Sequence, residues 1–205
     1  MPPQTKTRRR GAATRERIIA AATTLFSRDG YLTTTMGNIA AEAGVAVQTL
    51  YLAYGSKVGI LSAAHDVAIV GDEDPVPLLE RDWVQQLSDT ASVTAGWEHT
   101  LEQLWRSTAR VAPIYTAIAS AAADPDVAEL NATLRQQRHR FSQAIAELLL
   151  DLPGAPDADV GRVADVLYAT LSAETYTLLV TECGWPVEQW RQWVHDVVVL
   201  ELIAH

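Results

Sequence analysis

A single cysteine, Cys183, stands among the 205 residues. It excludes an intrachain disulfide and any cysteine-rich metal site, and it fits a reducing cytoplasm. Long apolar runs are missing as well, so no segment is expected to span a bilayer. The opening stretch MPPQTKTRRRGAATRERII is basic but has no apolar core segment and no small-residue cleavage site, and no signal peptide is expected. Period-two alternation bounded by turns is essentially absent, which argues against a sheet. The five histidines (His65, His99, His139, His195 and His205) are scattered. No HExxH, no GxSxG and no glycine-rich phosphate loop occurs. Cys183 precedes Gly184-Trp185-Pro186 and reads as a packing residue rather than a nucleophile. Neither an enzyme, a metal site nor a cofactor is expected.

What is present is an asymmetry of charge. The net charge is -9. Residues 1–57 nevertheless carry eight lysines and arginines against three carboxylates, whereas the rest carries eight against 22. A basic head on an acidic body points to a polyanion met by the head alone.

Helical periodicity runs almost throughout. Residues 12–29 place Ile18, Ala22, Leu25 and Phe26 on one face, ended by Gly30. Thr35 offers an N-cap to a short helix that Gly44 ends. A third helix is predicted over about 46–53 and a fourth over about 57–70, capped by Ser56. The segment GDEDPVPLLERD, 71–82, has two prolines and five acids and reads as a connector. Longer helices are predicted over about 82–90, 93–111, 113–122, 126–150, 157–183 and 187–204. The fold class is therefore all-α. A basic tail (1–11), expected to be disordered, precedes a three-helix head (12–72, with a helix-turn-helix at about 35–54) and a larger helical body (73–205).

Two short helices joined by a glycine turn and braced by a longer one describe a helix-turn-helix. A second helix that enters a major groove cannot carry bulk on its outward face. Val47, Gln48 and Thr49 meet that need and offer a methyl and hydrogen bonds to base edges. Tyr51 and Lys57 suit phosphates, as a hydroxyl donor and an ammonium at the start of the next helix. Leu50 points inward, and Tyr54, one turn further on, is expected to pack there too.

The run RERIIAAATTLFSRDGYLTTTMGNIAAEAGVAVQTLYLAYGSKVGIL, and the stretch from Ala12 to Asp72 around it, resembles the tetracycline-repressor (TetR) family of bacterial transcription regulators. The resemblance rests on Phe26, Gly30-Tyr31, Thr34-Thr35-Met36, Ile39-Ala40, Ala43-Gly44-Val45, Leu50-Tyr51, Tyr54, Ser56-Lys57 and Leu61. It implies a homodimer whose heads bind a palindromic operator on double-stranded DNA, and a body that holds a small-molecule effector. It also implies that the effector changes the spacing of the heads through helix 57–70. Carried onto this sequence, it gives Thr35 a phosphate contact, Val47, Gln48 and Thr49 base-facing positions, and Tyr51 and Lys57 phosphate contacts. The sequence departs from the family pattern in three respects. Ala46 stands where Ser or Thr is common, and Ala53 where an aromatic or histidine is common. Val58 and Gly59 stand where a glutamate usually completes a capping box.

In the body the resemblance is architectural only. Apolar stripes on 93–111, 126–150 and 157–183 read first as core. The interruptions by Arg138 and Glu174 demand a partner or a ligand. They can pair with each other or face the effector. Trp97, Trp105, Tyr115, Phe141 and Tyr168 are candidate pocket walls for a small, largely apolar effector, with Arg138 or Glu174 as its polar anchor. In the last helix, Trp190, Trp193, Val194, Val197 and Val198 form a broad apolar arc. It is expected to be a dimer face built with helix 157–183, or else part of the protomer's own core. The function expected is a ligand-responsive regulator, a repressor released by its effector. The alternative is a helical ligand-binding or interaction module without operator binding.

Overall fold

The computed structural model describes the backbone of residues 4–71 and 76–203, and the side chains of 11–71 and 76–202. The described residues are helical, with no strand among them. The helices are α1 (Gln4–Asp29), α2 (Met36–Ala43), α3 (Val47–Tyr54), α4 (Lys57–Val70), α5 (Asp82–Gln85), α6 (Val93–Ser120), α7 (Pro125–Leu150), α8 (Val160–Thr170), α9 (Ala173–Tyr176) and α10 (Val187–Ile203). Among the described residues no helix is long and apolar enough to cross a membrane.

The chain forms two compact units. The first comprises residues 1–73 and 113–131, and the second 74–112 and 132–205. Residues 113–131, which the linear reading assigns to the body, thus belong with the head. The boundary expected at 72–73 lies outside the described residues.

The first unit is built on α1. Ile18, Ala22, Leu25 and Phe26 are buried along one stripe, with Ile39, Leu50, Ile60 and Leu61 buried on α2, α3 and α4. Contrary to the expected disordered tail, α1 begins at Gln4. Beyond Pro3 nothing in TKTRRRGAATR breaks a helix except Gly11, and lysine and arginine propagate one well. The side chains of Lys6, Arg8, Arg9 and Arg10 lie outside the described residues.

The second unit holds one buried cluster, with Leu87, Trp97 and Leu101 from 74–112, Ile145 and Leu149 on α7, Val163 and Leu167 on α8, and Trp190, Val194, Val198 and Leu202 on α10. Two predicted boundaries move. Pro113 does not break α6. It lies on the exposed side of the helix, where water can satisfy the carbonyl freed by its missing N–H. The single helix predicted over 157–183 is interrupted at Leu171–Ser172 instead. The Thr108 hydroxyl donates to the Leu171 carbonyl at 2.9 Å. Ser172 then caps a new start, its Oγ accepting from the Thr175 N–H at 3.0 Å. The restarted turn widens into a π-helix over Thr177–Glu182. Cys183 follows it and is exposed rather than packed, because Gly184, with φ 73°, turns the chain away there.

Candidate functional site

The helix-turn-helix assembles from local signals. The Thr35 hydroxyl accepts the Asn38 N–H at 3.1 Å, and the Asn38 side-chain oxygen accepts the Thr35 N–H at 3.0 Å. This reciprocal pair closes a capping box that uses Asn38 where glutamate or glutamine is usual. It also fixes the Thr35 hydroxyl at the exposed N-terminus of α2, where free N–H groups favour an anion. At the other end Gly44 is left-handed, with φ 63°, and its N–H and that of Val45 satisfy the last carbonyls of α2.

α3 starts without help. Ala46 occupies its N-cap and makes no side-chain bond. What holds α3 is Leu50, wholly buried beneath it. Val47 and Tyr51 are 40% and 51% exposed. Gln48 is exposed as well, and Thr49 is half-buried, so Gln48 is the freer of the two polar side chains for a base edge. Tyr54 is half-buried.

The turn into α4 explains one departure from the family pattern. The Ser56 hydroxyl accepts the Gly59 N–H at 3.1 Å, so half of a capping box is present. Any side chain at Gly59 would place its Cβ 2.2 Å from the Tyr54 carbonyl oxygen. That oxygen also accepts the Ser56 N–H at 2.8 Å. The α3–α4 turn is therefore tightened against bare backbone. Gly59→Ala is expected to destabilise the protein by about 1–3 kcal/mol through overpacking and to weaken DNA binding by tilting α3. A denaturant midpoint equal to that of the wild type would contradict this.

Lys57 is placed differently from the free phosphate hook read in the sequence. Its ammonium donates to the carbonyls of Tyr31 and Thr34 at 2.8 and 2.9 Å and sits 4.0 Å from the centre of the Tyr31 ring. Burial pushes its pKa below the usual lysine value, partly offset by the charge of Asp124. Burial also raises the Tyr31 phenol to about 12, helped by Asp124 and Asp126. Lys57 thus braces the α1–α2 turn from the first residue of α4, with its ammonium bonded to two carbonyls and set over the Tyr31 ring. Sequence reading missed Asn38 and Tyr31 in these roles. The signal for Asn38 was its position three residues after Thr35.

In the second unit, Arg138 and Glu174 meet in a two-bond pair at 2.7 and 3.0 Å. Arg138 lies 4.3 Å from the centre of the Tyr168 ring. Burial pulls the Arg138 pKa down, but Glu174 and Tyr168 outweigh it and the net shift is upward. Arg138, Tyr168 and Glu174 are thus brought together; Arg138 and Glu174 pair, and Arg135 reaches the same carboxylate at 3.4 Å. Of the other candidates, Trp97 is part of the buried cluster of the second unit and Trp105 and Phe141 pack against it. Phe141 faces Trp83 edge-on at 6.4 Å, Trp97 is wholly buried in the core, and Tyr115 lies in the first unit. Trp105 donates to Glu102 at 3.3 Å and is flanked by the guanidinium groups of Arg106 and Arg191. The indole N–H groups of Trp97 and Trp190 and the Arg138 Nε are buried and donate to no protein atom.

The dimer face expected on α10 needs correction. Trp190, Val194 and Val198 are wholly buried within the chain itself, because their four-residue spacing lines them up along the stripe that completes the core of the second unit. Trp193 and Val197 lie on the flank of that stripe and are only half-buried.

Comparison with known proteins accords with this geometry. Residues 18–64 match the model of bacterial regulatory proteins of the tetR family. The HTH-type transcriptional regulator HbdR of Aromatoleum sp. (strain CIB) is 51% identical over 47 residues, which is 23% of this chain and 20% of that protein. The similarity thus spans about a fifth of that relative's length. Among solved structures, NalD, the secondary repressor of the MexAB-OprM multidrug efflux pump in Pseudomonas aeruginosa, is similar with a TM-score of 0.62 at 15% identity, over 93% of this chain and 95% of that one. A TetR transcriptional regulator from Chloroflexus aurantiacus J-10-FL is similar with a TM-score of 0.61 at 19% identity, over 95% and 98%. At such identities these likenesses concern the fold, and they extend it over both units. Its head, residues 18–64, is thus similar in sequence to the tetR family of bacterial regulatory proteins.

Proposed function

We propose that this protein is a ligand-responsive transcriptional regulator that binds a palindromic operator on double-stranded DNA as a homodimer and is released by a small molecule. The observation that carries the reading is the outer face of α3. One helix of eight residues buries Leu50 and leaves Val47, Gln48 and Tyr51 open, between a capped α2 and a capped α4. In the bound state Val47, Gln48 and Thr49 face bases, whereas Thr35, Tyr51 and Lys57 hold phosphates. Gln48→Ala is expected to cost about 1–3 kcal/mol per half-site at particular base pairs and to leave affinity for other sequences unchanged. Titrating wild type and variant against an operator and its single-base substitutions checks this. A uniform loss over all sequences would remove Gln48 from the base-reading set.

The effector reading rests on the second unit. Trp97 and Trp190 are wholly buried with unengaged indole donors, and the Arg138–Glu174 pair stands beside Tyr168. An apolar, aromatic molecule that carries a hydrogen-bond acceptor suits such surroundings. Its binding alters the separation of the two heads, with α4 as the lever that the family resemblance implies. A hundredfold change in operator affinity corresponds to about 2.7 kcal/mol of coupling between the sites. For the dimer, the flank of α10 with Trp193, Val197 and the 62%-exposed Leu200 is the apolar surface that remains open.

A further inference from the structure

Of the exposed large apolar side chains, Leu52 is the most open, at 81%. It lies on α3, one helical turn beyond Gln48, so the two share a ridge of the outward face. Val47 and Tyr51 form the neighbouring ridge. Among the described residues nothing in the head covers Leu52, and its sequence context alone gives it no role. An exposed leucine offers no hydrogen bond, so in a groove it gains only from an apolar partner. In the major groove of duplex DNA the apolar group on a base edge is the C5 methyl of thymine. The glutamine ahead of it on the same ridge offers a donor and an acceptor to an adjacent base. Resting on the DNA-binding reading above, we infer that Leu52 is a specificity-determining residue that reads a thymine methyl next to the base pair contacted by Gln48. Alanine at position 53 leaves room beside it for the close approach this needs.

The test uses the full chain. A duplex is first selected from a random pool by the wild-type protein. Each thymine in its half-sites is then replaced, symmetrically, by deoxyuridine, which lacks only the methyl. At one thymine the wild type is expected to lose about fourfold in affinity per half-site, the worth of one buried methyl-sized group. Leu52→Ala should bind the thymine and deoxyuridine duplexes equally at that position while still discriminating where Gln48 reads. With 81% of its surface exposed, Leu52 is not needed for folding, so the variant should match the wild type in circular dichroism and in oligomeric state by light scattering. A variant that keeps the full thymine preference at every position overturns the inference, as does a wild type indifferent to every methyl. A changed oligomeric state overturns it too, since Leu52 then serves a protein contact. If the wild type selects no duplex at all, the DNA-binding reading itself fails, and that outcome is distinct from the loss of Leu52's role alone.

Discussion

Trp190→Ala is expected to cost about 3–5 kcal/mol, the usual toll of removing a large aromatic from a core. Trp190 is wholly buried and meets the Tyr176 ring edge-on at 5.0 Å. A loss of that size is a large part of the roughly 5–15 kcal/mol that holds a domain folded. The purified variant should therefore show a much lower denaturant midpoint or accumulate as aggregate. Trp193→Glu, three residues along the same helix, should behave differently. Its half-buried ring packs at the margin of the core, so circular dichroism should stay close to wild type and the unfolding midpoint should fall by less than in Trp190→Ala. Light scattering should instead show monomers, and operator affinity should fall because two linked heads no longer act together. If Trp190→Ala folded normally and assembled as a monomer, the two edges of α10 would have been assigned the wrong way round.

Lys57→Ala is the second large effect, and its signature is double. The ammonium makes two charge-assisted bonds to the carbonyls of Tyr31 and Thr34 and stacks on the Tyr31 ring. The site is partly exposed, so the low end of the range for such bonds applies, and the total loss is about 2–4 kcal/mol. The variant should unfold at lower denaturant in the absence of DNA. It should also bind all duplexes more weakly, with a salt slope flatter by about one unit for each phosphate that a head no longer neutralises. Weaker DNA binding at unchanged stability would make Lys57 a simple phosphate hook and deny it the bracing role.

The head was legible because its signals are local and carry a fixed chemistry. Thr35 as a cap, Gly44 as a left-handed turn and Leu50 as the inward anchor each depend on a few neighbouring residues, and each is found in that place. The role of Lys57 was not legible, because its partners are backbone carbonyls 23 and 26 residues earlier. Periodicity marks a face, but it does not say which chain covers that face. Trp190, Val194 and Val198 therefore looked like an interface until α8 and the rest of the core were seen to bury them. The break at Leu171–Ser172 depends on Thr108, 63 residues away, and no local pattern announces it. Arg138 and Glu174 were recognisable as charges that need partners, and the fold supplies the pairing.

The central claim is that the outer face of α3 reads DNA sequence, and the most direct measurement is an anisotropy titration of the full-length protein. Its own upstream promoter region and a scrambled duplex of equal length are compared over a range of salt concentrations. Tight binding to the promoter duplex is expected, with affinity for both duplexes falling steeply as salt rises and a preference for the promoter that persists at each salt concentration. Equal affinity for the two duplexes at every salt concentration, or no binding to either, would contradict the account and leave a helical module whose head does not read an operator.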